Sequence, residues 1–244
     1  MTNPRIYQDT PFIVGQTFEL DDNAFGHVVR VLRHKEGDEL CFFNGHDGIE
    51  YRVELTQVKK KTAFAQVVEQ TRVTNESPLK IELGQGISRG DRMDFTLQKS
   101  VELGVSSITP LFTERCGVKL TGDRLAKKRE QWQKIVISAC EQSGRVYVPV
   151  VNDPIWLEEW LAVDTDALNI NLHPRAQHSI MSLPFDSQNI RLLIGPEGGL
   201  SDEEINKASA ANFKEVLLGP RVLRTETAAL TAITALQCRY GDLG

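Results

Sequence analysis

The sequence predicts an α/β chain in two parts: a small β-barrel, then a mostly parallel sheet with helices on both faces. Three observations lead there. Short segments of alternating polarity separated by tight turns fill residues 1–73. The composition turns polar around Thr74-Asn75-Glu76-Ser77-Pro78, which sets a boundary and a second part spanning 74–244. From there to the end, strand and helix patterns alternate, as in a sheet built from β-α-β units.

In the first part, Leu40-Cys41-Phe42-Phe43 runs into Asn44-Gly45, a strong turn dipeptide. Tyr51 to Leu55 alternates like a half-buried strand, and Thr62 to Val68 repeats the pattern. One helix is predicted from Asn23 to Arg33, with Asp22 as its cap. In the second part, Ile81 to Ile87 reads as a strand. Met93, Leu97 and Val101 step by four along a helix that Gly104 ends. Val105 to Phe112 is the next strand. A long helix follows from Asp123 to Gln142, with Leu125, Trp132, Ile135, Val136 and Ala139 on one stripe and Gly144 as its stop. Further strands are expected at 167–172, 190–195 and 215–219, and a largely apolar helix from Glu226 to Tyr240. A helix that apolar needs cover on more than one side, for which packing against a partner subunit is one solution.

Parallel sheets bind ligands at the carboxyl ends of their strands, and three strand ends here are unusual. Leu192-Leu193-Ile194 enters Gly195-Pro196-Glu197-Gly198-Gly199, three glycines in five residues that let a ligand approach the backbone. Ser201 and Glu204 then form an S-x-x-E capping box, so a helix begins at once and leaves amides free for polar ligand groups. Leu217-Leu218-Gly219-Pro220 is followed by Arg221, Arg224 and a threonine-rich helix start at Thr225. The third end is Leu172-His173-Pro174-Arg175. A lone histidine there is as often structural as functional.

Composition narrows the classes. Four cysteines at 41, 116, 140 and 238 form no C-x-x-C pair, and five histidines form no H-E-x-x-H, so a metal centre is disfavoured. No glycine loop leads to G-K-[ST], and no G-x-S-x-G elbow exists. Gly84-Gln85-Gly86-Ile87-Ser88-Arg89-Gly90 misses the dinucleotide spacing. The N-terminus carries no apolar run and no segment is long enough to span a membrane, so a cytoplasmic protein is expected. Net charge is −5, unevenly spread. Residues 80–145 hold 12 Lys/Arg against 8 Asp/Glu, whereas 146–244 hold 7 against 13. A basic middle segment suits a phosphate backbone.

Gly195-Pro196-Glu197-Gly198-Gly199 together with Leu218-Gly219-Pro220-Arg221-Val222-Leu223-Arg224-Thr225-Glu226-Thr227-Ala228 resembles the paired cofactor loops of SPOUT methyltransferases. The likeness extends through Ser88-Arg89-Gly90, Gln98-Lys99, Glu102-Leu103-Gly104-Val105, Thr109-Pro110-Leu111, Glu114-Arg115-Cys116 and Gln131-Trp132-Gln133-Lys134. Those segments are similar to the branch that methylates uridine N3 in 16S ribosomal RNA, the RsmE family. The resemblance implies an N-terminal PUA-like β-barrel that holds RNA and a C-terminal parallel-sheet α/β domain with a trefoil knot. It also implies a homodimer and the cofactor S-adenosyl-L-methionine, without a metal.

On that footing the cofactor-binding residues are expected to be Leu172, His173, Gly195, Pro196, Glu197, Gly198, Gly199, Leu218, Gly219, Leu223, Arg224, Thr225, Thr227 and Ala228. The cofactor brings the electrophilic methyl, and the protein must position it. Uridine N3 lies on the pairing edge and carries a proton, so the base must be unpaired or extruded and its anion stabilised. Arg221 and Arg224 are the candidate stabilisers. Glu197 is either a base or a loop-positioning group. Arg5, Arg30, Arg33, Arg89, Lys99, Arg115, Lys119 and Arg145 are the candidate RNA contacts, with Arg30 and Arg33 on one side of a helix. The substrate is expected to be 16S ribosomal RNA in the assembled small subunit. The rival is a non-catalytic RNA-binding assembly factor of the same fold, against which the open glycine loops argue.

Overall fold

The computed structural model describes residues 4–118, 120–184 and 187–244. The chain divides into two compact units. One runs to Glu76 and takes in Cys140–Val148; the other comprises Ser77–Ala139 and Pro149–Gly244.

The first unit is a five-stranded sheet. Strands β3 (Glu39–Phe43), β4 (Ile49–Val58) and β5 (Ala63–Arg72) form an antiparallel meander, with β1 (Arg5–Tyr7) parallel to β3 and β2 (Thr17–Glu19) antiparallel to β5. The alternation read in Tyr51, Val53 and Leu55 is the buried side of β4. Those residues share a core with Ile6, Phe12, Phe42 and Val28. Two bulges in the β4–β5 ladder bend the long hairpin over that core.

The helix of this unit differs from its predicted form. Its cap is Asp21, whose side chain accepts from the Ala24 N–H at 2.8 Å. Only Asp22–Phe25 (α1) is α-helical, and Gly26–Val31 continues as a π-helix. Leu32 N–H accordingly reaches back five residues to the His27 carbonyl. The wider turn cancels the three-apart alignment, and Arg33 lies past the helix end at φ 62°. Arg30 and Arg33 therefore do not form the expected pair on one helix side.

The second unit carries β6 (Lys80–Gly86), α2 (Asp91–Glu102), β7 (Ser107–Phe112), α3 (Gly122–Ser143), β8 (Val150–Val151), β9 (Ile155–Trp156), α4 (Leu157–Leu161), β10 (Leu168–Leu172), β11 (Asn189–Ile194), α5 (Asp202–Ala210), β12 (Lys214–Val216) and α6 (Thr225–Tyr240). The strand order is β12-β10-β11-β6-β7-β8, with β9 also on β7, and every pairing is parallel. All strand ends that carry loops of interest thus open at one edge. Helices α2 and α6 pack on one face, and α4 and α5 on the other. Gly84 makes room for α4, since a Cβ there would sit 2.6 Å from the Trp160 ring.

β12 is shorter than the predicted 215–219. After Val216 the chain leaves β10, and Leu217 is held instead by the His178 carbonyl at 2.9 Å and the Ile180 N–H at 3.1 Å. The segment between β10 and β11 therefore lies directly against the segment leading from β12 to α6.

Candidate functional site

At the carboxyl edge, β6, β11 and the start of α6 meet through one hydrogen-bond chain. Gln85 Nε2 donates to Thr225 Oγ1 at 3.0 Å, and Thr225 Oγ1 donates to the Gly195 carbonyl at 2.6 Å. Gln85 is fully buried and Thr225 nearly so. Gly86 allows the same closeness, because a Cβ would lie 2.5 Å from Pro196 N. Gly199, at φ 69°, closes a turn by donating its N–H to the Pro196 carbonyl at 2.8 Å. The capping box is present as read, with Ser201 and Glu204 exchanging bonds. Glu204 also accepts from the Glu114 N–H at 2.7 Å, which ties the end of β7 to the same loop.

Beside this junction lies a cavity of about 100 Å³, bordered by Leu172, His173, Leu218, Gly219, Leu223 and Ala228. Its walls are mainly aliphatic. The backbone N–H groups of Leu218, Gly219 and Leu223 donate to no backbone carbonyl among the described residues. Apolar walls with free amides suit a nucleoside-bearing cofactor such as S-adenosylmethionine, with its remainder over the open glycine loops. A larger hollow of about 770 Å³ lies at the opposite edge, where Asp164, Asn169, Asn212 and Lys214 meet. It opens at the amino ends of the strands, away from every glycine loop, so the smaller cavity is the chemically relevant one.

The expected cofactor residues converge here unequally. The Thr225 hydroxyl faces Gly195 and Gln85, so it clamps two loops together. Thr227, Arg221 and Arg224 are exposed. His173 fixes its backbone through an N–H to the Val216 carbonyl at 2.9 Å, and its Nδ1 lies 3.3 Å from Glu215 Oε2. That contact lacks hydrogen-bond geometry, leaving the ring nitrogen without a bonded partner.

Glu197 is held by the Arg89 N–H at 2.9 Å and the Arg92 guanidinium at 3.2 Å. Burial pushes its carboxyl up, but those donors and its own backbone outweigh burial and leave it below the ordinary glutamate range. Arg115 donates to the carbonyls of Gly198 and Leu200 at 3.2 and 3.3 Å. The glycine loop is thus gripped from both sides, by Arg92 through Glu197 and by Arg115 through main-chain oxygens.

The RNA candidates separate as well. Arg5 bonds Glu50 at 2.8 Å and the carbonyls of Cys140, Glu141 and Arg145. Arg145 is 6 % exposed and its guanidinium grips both oxygens of Glu76. Both arginines are structural, because neither has a free guanidinium face for a phosphate. Lys99 pairs with Glu102 at 2.8 Å. Arg30, Arg33, Arg89 and Arg115 are exposed, and Lys119 lies outside the described residues. Gln85 and Gly86 are not among the expected site residues, and Arg92, whose sequence context suits RNA, instead holds Glu197. A polar residue between two glycines in a buried strand was the signal for the first two.

A family profile described as an RNA methyltransferase domain matches residues 75–237, and one described as an RNA methyltransferase PUA domain matches 20–68. A Legionella pneumophila protein solved with bound SAM is 46 % identical, with full coverage of both chains and a TM-score of 0.96. A ribosomal RNA small subunit methyltransferase E of Neisseria gonorrhoeae, bound to S-adenosyl methionine, is 43 % identical over the whole of both chains, with a TM-score of 0.93. The protein of that name from Buchnera aphidicola of Schizaphis graminum is 40 % identical over 98 % of each chain.

Proposed function

The chain belongs to the RNA methyltransferase family, and from that premise we propose that it transfers a methyl group from S-adenosylmethionine to N3 of a uridine in 16S ribosomal RNA. The observation that carries the reading is the junction of Gln85, Thr225 and Gly195 beside an aliphatic cavity with free backbone amides.

The cofactor supplies the electrophilic methyl on its sulfonium. Leu172, Leu218, Leu223 and Ala228 would border it, and the free N–H groups of Leu218, Gly219 and Leu223 would take its polar edges. Gly195, Pro196, Gly198 and Gly199 present main chain without obstruction. Glu197 positions this loop; a carboxylate already holding two donors and shifted downward is a poor proton acceptor. Arg221 and Arg224 stabilise the negative charge that develops on the uracil ring as N3 gives its proton to solvent water and takes the methyl from the sulfonium, which leaves as a neutral thioether. Their exposure leaves them free to reach an RNA base.

The target uridine must be unpaired, since pairing occupies N3. Residues 1–73 form the PUA-like domain that holds RNA, which residues 140–148 complete, and the rest of 74–244 forms the catalytic domain. The protein acts in the cytoplasm on the assembled small subunit. Among the described residues no helix is long and apolar enough to cross a membrane. It acts as a homodimer, supported by Phe95 on α2, 46 % exposed beside the largely apolar α6.

The test is methyl transfer from labelled cofactor to small subunits from cells lacking this protein, with the modified nucleoside identified by mass. N3-methyluridine in 16S RNA, abolished by Gly198→Trp, is the expected result. No transfer to unmodified subunits, despite cofactor binding, would favour the assembly-factor reading.

A further inference from the structure

We propose that Trp156, with Phe112 and the first turns of α3, forms a docking surface for an unpaired stretch of the RNA substrate. The inference rests on the rRNA methyltransferase reading for the identity of the RNA.

β7 and β9 end side by side, with Phe112 paired to Trp156. This end belongs to the same sheet edge as the glycine loops. Leu111 and Ile155 turn into the core under α4. Strand alternation therefore sends Phe112 and Trp156 to the other face, that of α2, beside which Lys128 on Asp94 holds α3. Their rings pack at 5.5 Å between centroids, inclined by 42°. Trp156 is nonetheless 55 % exposed. The phenyl ring fixes the indole from one side and leaves the rest of it to solvent.

The neighbouring helix supplies the charge. The first turns of α3 hold Arg124, Lys127, Lys128 and Arg129 against a single acid, Asp123. Arg129 bonds the Val151 carbonyl at 3.0 Å and Asp153 at 3.1 Å. Val151 pairs with Ile108, low on β7. Further along α3, Gln133 bonds the Pro149 carbonyl at 3.0 Å, before β8 begins, so the helix descends and the turns before Arg129 stand towards the carboxyl edge, where Trp156 lies. Lys128 reaches Asp94 at 3.4 Å, while Arg124 and Lys127 are exposed and form no ion pair among the described residues.

An exposed, braced aromatic beside free cations matches the requirements of single-stranded nucleic acid: a face on which a base stacks and charges along which phosphates run. An extruded target uridine needs its flanking nucleotides held open, and this surface lies on the edge where methyl transfer takes place.

The experiment titrates the full-length wild type, Trp156→Ala and Trp156→Phe with a labelled single-stranded oligouridylate and, separately, with small ribosomal subunits. Trp156→Ala should weaken both by about tenfold, Trp156→Phe should restore most of the loss, and cofactor affinity should stay unchanged. Arg124→Gln and Lys127→Gln should each lower the salt slope for the oligonucleotide by roughly 0.7. Unchanged oligouridylate binding by Trp156→Ala overturns the proposal, as does absence of measurable binding by the wild type. A loss confined to subunits overturns it too, since it would mark a ribosomal-protein contact. The methylation reading stands or falls separately, on transfer by the wild type to unmodified subunits.

Discussion

Thr225 donates its hydroxyl to the Gly195 carbonyl at 2.6 Å while accepting from Gln85, so one side chain joins the end of β11, the end of β6 and the first turn of α6. Thr225→Val keeps the shape and removes both bonds, leaving a buried amide proton and a carbonyl unmatched. Each such group costs about 1–3 kcal/mol. Cofactor affinity by calorimetry should fall by about tenfold or more, and Thr225→Ser should retain it. An unchanged affinity in Thr225→Val would remove the clamp from the account.

Glu197 offers a test by pH. Its carboxyl is held below the ordinary range, so the stability it contributes is present above the unfolded glutamate pKa and is lost only as pH falls through its lowered folded value. Near neutrality the group does not titrate. Glu197→Gln still accepts from the Arg89 N–H and should keep the pH–rate profile and most of kcat. Glu197→Ala should raise KM for the cofactor. A collapse of kcat in Glu197→Gln with unaltered cofactor binding would instead make it the base.

Arg221 and Arg224 act on charge that appears only during transfer. Arg221→Ala or Arg224→Ala should lower single-turnover methylation by about a hundredfold. Cofactor binding, followed by calorimetry, should change little for Arg221→Ala, because the residue's contribution is to the developing anion.

Gly86→Ala would place a carbon 2.5 Å from Pro196 N, a main-chain atom two residues past the point where β11 pairs with β6. A loss of about 1–3 kcal/mol is expected, together with weaker cofactor binding. Urea denaturation with and without cofactor checks both.

Arg145 separates structure from recognition. Its removal leaves Glu76 unpaired in a largely buried place, where breaking such a pair costs about 3–5 kcal/mol. Arg145→Met should lower the melting temperature and leave the salt slope of RNA binding as it is. A reduced slope would return Arg145 to the phosphate contacts.

The elements with many-residue patterns were legible in the sequence. The stripe of Trp132 and Val136 marked α3, the alternation of Tyr51, Val53 and Leu55 marked β4, and Ser201 with Glu204 marked the start of α5. β1 and β2 span three residues each and are defined by the partner they pair with, which no local period records. The π-helix had the composition of an ordinary helix, since the extra residue per turn is a choice of hydrogen-bond partner. For the site, glycine density exposed the loops. The contacts of Glu197 with Arg89 and of Thr225 with Gln85 span more than a hundred residues and depend on strand order. Arg5 and Arg145 show the limit of charge alone, because an arginine that organises carbonyls or grips a carboxylate reads the same as one that meets phosphate.

Helix α3 begins in one unit, and its last turn with the segment to Val148 is counted in the other. The N-terminal part is therefore not a cassette. Transplanting residues up to 76 onto another protein would strip Arg5 of the three carbonyls it binds and Tyr7 of its Glu141 acceptor. The two halves can be exchanged between homologous chains only if residues 140–148 travel with the first, so a viable chimera needs three junctions where the linear order of the domains suggests one.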